Sequence, residues 1–478
     1  MRQLSPHDAS FLYADTIHAN SNVTFLQVYD QSTAPGGMVR FKTILAHIES
    51  RLHRSAIFRN KLLRVPLELD YPYWVEDENF DLEYHVRHIA LPKPGDWRQF
   101  CIQASRIHAR ALDLNRPLWE IYVIEGLDSI TDLPAGSFAL LTKIHHAAID
   151  VESRNEFIEV LHDTTPQPPK PEPPEPWFPQ SPPGTIPLLY RAGMHLAFAP
   201  ARLLAPLVRA APAAMAFARD VLRPEHPQAP TRFNAVVSPH RVFDTRRFLL
   251  EEFERIRGLV DGATVNDAVL AVCSGGLRGY LEAHAELPLA DLAAIVSLDI
   301  GADREPVAES RRIEFGTCIA DPVERLARIH QQTSSAPPKG VAPGLPPPSC
   351  TITHVPGPPA PVYLHGARMT YFSAILPITD GMGLVFAVSG YDGRIVVSPT
   401  SCRELLPDPH AFTQCVRDSF QQYLALATAE VPAARSRPAR SRASAADRHN
   451  PSARTDRSAA KPLPAAPAGR RRSTAPRH

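Results

Sequence analysis

The sequence predicts an α/β protein of two sheet-and-helix domains, with a proline-rich connector between them and a basic, disordered tail behind. Three observations carry this. Short strand-like and helix-like patterns alternate through residues 1–163 and again through 231–430. Eleven prolines fall between Pro166 and Pro187. From Val431 onward there are twelve Lys/Arg against two Asp/Glu, a charge of +10 that leaves −9 on residues 1–430. A chain of 478 residues also exceeds what one ordinary core accommodates. Four segments result: 1–163, a connector with broken helices over 164–230, 231–430, and the tail 431–478.

The elements follow in order. NVTFLQVYD (22–30) alternates as a strand, FKTILAHIESRLHRS (41–55) has helical spacing, and PLWEIYVIEGL and SFALLTKIHH supply two more strands. The prolines of 166–187 exclude regular helix and central strand and favour an extended spacer. Residues 188–222 are rich in Ala and Leu, with Arg191, Arg202 and Arg209 near one helical face and Pro200, Pro206 and Pro212 interrupting it. A helical linker packed on the body is the favoured interpretation, and a surface resting on anionic lipid is the alternative. In the second region TVNDAVLAVCSGGLRGYLEAH predicts a helix capped by Thr264, its stripe being Val265, Ala268, Val269, Val272, Leu277, Tyr280 and Leu281. GLVFAVSGYDGRIVVSP predicts a hairpin turning at Asp392-Gly393. No repeat of solenoid period is present.

Composition narrows the function classes. The 44% hydrophobic share is globular, and the six scattered cysteines show neither CxxC pairs nor zinc-finger spacing. Reduced thiols, no apolar h-region in MRQLSPHDASFLY and no membrane-length apolar run predict a cytoplasmic protein. The tail predicts loose, salt-sensitive attachment to the anionic surface of a membrane or lipid droplet, with no specific nucleic-acid recognition.

LLTKIHHAAIDVES (140–153) places two histidines where a strand gives way to a turn. Strand alternation puts His146 with Phe138, Leu140, Thr142 and Ile144, and His145 on the other face, which disfavours joint chelation of a metal. Without a metal, one imidazole at a strand end is suited to general-base work. Asp150 then fixes the bend, by pairing with a buried arginine or with backbone amides. Ser153 and Glu156 have capping-box spacing for the helix that follows. From this stretch alone, two surface histidines in a chain with twenty are the better description.

HHAAID resembles the HHxxxDG signature of the CoA-dependent acyltransferase superfamily. LSPHDASFLYAD, NRPLWE (115–120), TVNDAVLAVCSGGLRGYL, VPGPPAPVYLHGAR (355–368) and SCRELLPDP (401–409) occur in the order seen in the bacterial wax ester synthase/diacylglycerol acyltransferase family. The resemblance implies two chloramphenicol-acetyltransferase-like domains meeting along a tunnel. It implies His146 as the base that takes the proton of a diacylglycerol or long-chain alcohol as that oxygen attacks an acyl-CoA thioester, with acyl-CoA as substrate, no cofactor and no metal. His145 and Asp150 would support the turn. Pro117, Leu118 and Trp119 match the family's PLW block, which equally reads as a strand entry with a core tryptophan. Asn266 and Asp267 match its ND pair and would line the site from the second domain, although they also suit ordinary helix-start chemistry. Gly357 and Gly366 would shape backbone.

The chain departs from that pattern. Val151 stands where the signature has glycine, and a β-branched residue does not readily take positive φ. The stretches 302–319 and 334–349 are short, trimming the second domain. The alternative function is therefore a weakened or inactive paralogue that binds lipid.

Overall fold

The computed structural model describes residues 1–149, 156–167, 177–198, 231–298, 300, 310–335 and 347–434. Asp150, Val151, Ser153, residues 199–230 where interrupted helices are expected, 302–309 and 336–346 of the two shortened stretches, and the basic tail from 435 lie outside the described residues.

The predicted strands form a central sheet in the first half. Asn22–Asp30 pairs antiparallel with Phe138–His145, which pairs antiparallel with Trp119–Glu125, and Val86–Ala90 adds a parallel edge. Alternation sorts their side chains. Val23, Phe25, Tyr29, Ile121, Val123, Leu140 and Ile144 face the large core. Leu26, Val28, Tyr122, Ile124, Ala139 and Leu141 meet Phe100, Cys101, Ala104 and Ile107 of helix Trp97–Ala109. The stretch 41–55 holds two elements rather than one helix: Phe41–Glu49 is α-helical, and a 3₁₀ turn follows at Leu52–Arg54.

The sheet is completed from far along the chain. Ala367–Ile375 pairs antiparallel with Asn22–Asp30, bulging between Met369 and Tyr371, and Tyr363–Leu364 joins as a hairpin. Thus the first domain's sheet is not confined to 1–163, and residues 1–431 form one compact unit. No sequence pattern distinguishes a strand that stays in its own half from one that crosses. Gly366, with φ +87°, makes the crossing hairpin fit, since a Cβ there would lie 2.7 Å from Pro35 and 2.8 Å from the Pro166 carbonyl. A Cβ at Gly357 would collide with the Gly390 carbonyl oxygen.

The second half carries its own sheet. Ala293–Ser297, Cys350–His354 and Val385–Tyr391 run parallel, and Val385–Tyr391 returns as a hairpin into Arg394–Cys402. Asp392 and Gly393 take positive φ at that turn, as an Asp-Gly hairpin requires. Arg311–Glu314 forms one edge, while Arg241–Phe243 and Arg246–Leu249 pair with the far strand. Helix Val265–Ala283 starts at a Thr264/Asp267 capping box and buries the predicted stripe from Ala268 to Leu281.

The connector is partly helical. Helix Thr185–Phe198 takes Pro187 into its first turn, where the missing N–H has no intrahelical role. Leu188 and Ala192 pack on Val65 and Tyr73.

Candidate active site

Two carbonyls pin the end of the histidine strand. The His145 N–H donates to Leu118 O (3.0 Å), and the His146 N–H donates to Ser21 O (2.8 Å). Register places Asn22 opposite His145, and the chain then tightens into a 3₁₀ turn at His146–Ala148. The residues of the PLW block have separate tasks. The Leu118 side chain packs with Leu4, Leu12 and Ala147 beneath the turn. Trp119 is fully buried, donates Nε1–H to Phe58 O (3.1 Å) and stacks on His85 with centroids 4.5 Å apart. Two residues before His145, the buried Lys143 pairs with Glu120 at 2.8 Å and also donates to the Ile107 and Arg110 carbonyls. Burial pulls Lys143 down in pKa against the pull of Glu120; at Glu120 the upward push of burial loses to Lys143.

The two imidazoles sit in different electrostatic settings. His145 is buried; its Nδ1 accepts from the Ala147 N–H (3.1 Å), so Nε2 carries the proton and donates to Asp15 Oδ2 (3.0 Å). Burial would raise the Asp15 pKa, but the hydrogen bond and electrostatic pull of His145, with the Ser21 contacts, hold it below the usual carboxylate range. His146 has no such partner. Its ring stacks on Phe11, centroids 3.8 Å apart and planes 20° from parallel, and His7 meets Phe11 edge-on. The Nδ1 atom is buried without a hydrogen-bond partner among the described residues. Burial, with His145 and His7 adding to it, lowers the His146 pKa to about 4, so the ring is neutral near pH 7.

Asp15, Phe11 and Ser21 were not singled out by sequence. They belong to the N-terminal block LSPHDASFLYAD and its exit, whose role shows only once helix Pro6–Ala14 folds over a turn some 130 residues away. The quoted block was the available signal, but nothing local marks its aspartate as a partner for a histidine.

Asn266 and Asp267 hold the second half together. Asp267 accepts from the Thr264 N–H (2.8 Å) and hydroxyl (2.9 Å), from the Thr333 hydroxyl (2.5 Å), and meets His330 Nδ1 at 2.9 Å. Asn266 Oδ1 accepts the Ile300 N–H at 3.0 Å. Among the described residues, no hydrogen bond, ion pair or ring contact joins either to His146. A cavity of about 490 Å³ opens beside the histidine turn, walled by Ala148, Ile57, Asn60, Trp74 and Pro182; His146 itself does not line it.

The sequence matches the wax ester synthase/diacylglycerol acyltransferase catalytic domain over residues 4–269 and the WS/DGAT C-terminal domain over 338–423. The chain belongs to the wax ester synthase/diacylglycerol acyltransferase family. Two Mycobacterium tuberculosis H37Rv proteins of this family, each carried under the name "Putative diacyglycerol O-acyltransferase", are similar to it. One is 30% identical over 458 residues, covering 85% of this chain and 87% of the relative. The other is 32% identical over 346 residues, covering 69% and 71%. The solved wax ester synthase/diacylglycerol acyltransferase from Marinobacter aquaeolei VT8 superposes with a TM-score of 0.66 at 25% identity, covering 89% of this chain and all of that one. The family is one of acyltransferases, and its fold is the mixed α/β fold seen here.

Proposed function

We propose that the protein transfers a long-chain acyl group from acyl-CoA to the hydroxyl of diacylglycerol or a long-chain alcohol, with His146 as general base. The observation that carries this is the His146 imidazole, neutral and half-buried on a strand end fixed from both sides. With Nδ1 sealed from solvent, Nε2 is the edge that an incoming hydroxyl meets. The alcohol oxygen attacks the thioester carbonyl while its proton passes to the imidazole. The C–S bond then breaks, and the imidazolium returns the proton to the departing CoA thiolate, giving ester and free CoA. His145, held by Asp15, fixes the turn.

The test is thiol release from palmitoyl-CoA with diacylglycerol or hexadecanol. His146→Ala is expected to lower it about 10²–10⁴-fold. Release that is equal in the variant with both alcohols overturns the assignment. Val151, in place of the signature glycine, motivates a second reading, a lipid-binding paralogue of reduced activity. That reading expects Val151→Gly to raise the rate, and an unchanged rate argues against it.

Peripheral contact with an anionic lipid surface completes the proposal. Helix Thr185–Phe198 turns Ile186 (81% exposed) and Tyr190 (69%) outward, Phe178 ahead of it is 84% exposed, and among the described residues no helix is long and apolar enough to cross a membrane. Sedimentation with phosphatidylglycerol vesicles should fall when Ile186 and Tyr190 become serine and when residues 431–478 are removed. Binding untouched by both changes rules out this surface.

A further inference from the structure

A second cleft, of about 340 Å³, lies at the seam between helix Trp97–Ala109 and two segments of the second half, 241–244 and 403–410. Its lining is charged in one direction. Arg98 and Arg106 project from the helix at positions eight apart, with Ile102 midway, so they share a face. Arg241 and Arg403 approach from the other wall. Arg98, Arg106 and Arg403 make no side-chain hydrogen bond or ion pair among the described residues.

The two aspartates of the lining are already engaged. Asp244, 3% exposed, accepts from Trp97 Nε1 (3.0 Å), the Thr245 N–H (2.8 Å) and the Thr413 hydroxyl (2.6 Å), and pairs with Arg246 (3.3 Å). It also meets His410 at 3.3 Å. Asp408 accepts from the His410 and Ala411 N–H groups and so caps helix Pro409–Ala434. Arg241 is only 6% exposed, yet its guanidinium reaches backbone carbonyls alone, those of His18 (2.7 Å) and Ser238. Burial lowers its pKa against the weaker pull of Cys402, Asp380 and Glu404, and no carboxylate forms an ion pair with it among the described residues. Four guanidiniums around one cleft, with its two carboxylates committed elsewhere, are left to be neutralised by a bound anion, and the planar fork of arginine matches phosphate oxygens.

The cleft is tied to the histidine turn. Arg241 holds His18, midway between Asp15, which engages His145, and Ser21, which receives the His146 N–H. From the helix side, His108 bonds Thr24 (2.9 Å) and Ala109 O accepts from Asn20 (3.0 Å). One loop, 15–21, thus bonds both a wall residue of the cleft and the two histidines.

We propose that this cleft takes the phosphates of the nucleotide end of acyl-CoA, with Arg98, Arg106, Arg241 and Arg403 on the phosphate oxygens and the pantetheine arm following the 15–21 loop toward His146. This rests on the acyl-CoA reading of the protein. Trp97, also in the lining and half-buried, offers flat apolar surface to the adenine.

Calorimetry with free CoA on the full chain tests it. Arg106→Glu/Arg403→Glu should weaken CoA binding at least tenfold, dephospho-CoA should bind the wild type more weakly than CoA, and rising salt should weaken both. Arg98→Gln/Arg106→Gln, at two exposed positions without partners, repeats the measurement should the charge reversal not fold. In turnover, the preference for palmitoyl-CoA over palmitoyl-pantetheine, read as the ratio of kcat/KM, should fall at least tenfold. No CoA binding by the wild type, CoA binding within twofold of wild type in both variants, or inorganic pyrophosphate binding as tightly as CoA overturns the assignment. CoA binding that needs these arginines in a protein that acylates no alcohol upholds the cleft and removes the acyltransferase reading; His146-dependent turnover with an unaltered thioester preference does the reverse.

Discussion

His146 and Asp267 both lie in motifs that the family resemblance marks, and they differ in how well their polar atoms are satisfied. Asp267, at the start of helix Val265–Ala283, is 1% exposed and engages Thr264, His330 and Thr333. His146, at the end of strand Phe138–His145, keeps a buried ring nitrogen with no partner among the described residues. A carboxylate with both oxygens engaged is architecture: Oδ2 holds Thr264 and His330, and Oδ1 holds Thr333. An imidazole held by its backbone and left open at its ring is equipped for chemistry. Motif membership does not separate the two roles, but the bookkeeping of hydrogen bonds does.

The sharpest break of this contrast is a crossed pair of substitutions. His146→Ala should cost about 10²–10⁴ in kcat/KM with stability changed by no more than about 1 kcal/mol, and Asp267→Ala should cost about 3 kcal/mol in urea unfolding. Equal stability losses in the two proteins would erase the distinction.

Acid should act next most strongly. His47, His146 and His162 have pKa values lowered to about 4 and His108 to about 3, each chiefly by burial. Below the unfolded value near 6.5 the unfolded chain binds protons that the fold excludes. Stability is therefore whole above about 6.5 and declines as pH falls from there to about 4, by on the order of 1 kcal/mol per pH unit per group. Thermal unfolding across that range measures it. Within the pH range where the fold survives, the proposed role of His146 as base expects kcat/KM to hold level down to about pH 5, because that ring stays unprotonated until about 4. An acid limb centred near 6.5 would mean that His146 is not shielded as the structure has it.

Smaller effects grade the supports. Asp15→Asn keeps the shape but loses the charge paired with His145, and about a tenfold fall in kcat/KM with little change in KM is expected. Thr264→Ala removes a helix cap and should cost about 1 kcal/mol with activity intact. A larger activity loss from Thr264→Ala than from Asp15→Asn would move the functional weight to the second half.

Much of the fold was legible because its signals are local. Asn22–Asp30 was bounded by its alternation, and Thr264 and Asp267 announced a helix start three residues apart. The Asp392-Gly393 turn declared itself by the need for positive φ. Of the candidate site, the histidines were legible as a strand-end pair. Phe11 on His146, Asp15 on His145 and Arg241 on His18 were not, since each joins segments distant in sequence and leaves no periodic trace. Asn266 and Asp267 were expected to line the site, and their observed bonds are those of the alternative, helix-start chemistry with long-range ties.

The crossing of Ala367–Ile375 into the first sheet bears on how the molecule is made. While the ribosome is still translating the second half, Asn22–Asp30 has an open edge that its eventual neighbour cannot yet cover. The nascent histidine-bearing half must wait, one strand short and exposed to mispairing, until residue 375 leaves the exit tunnel, so neither half can be produced alone as a finished piece.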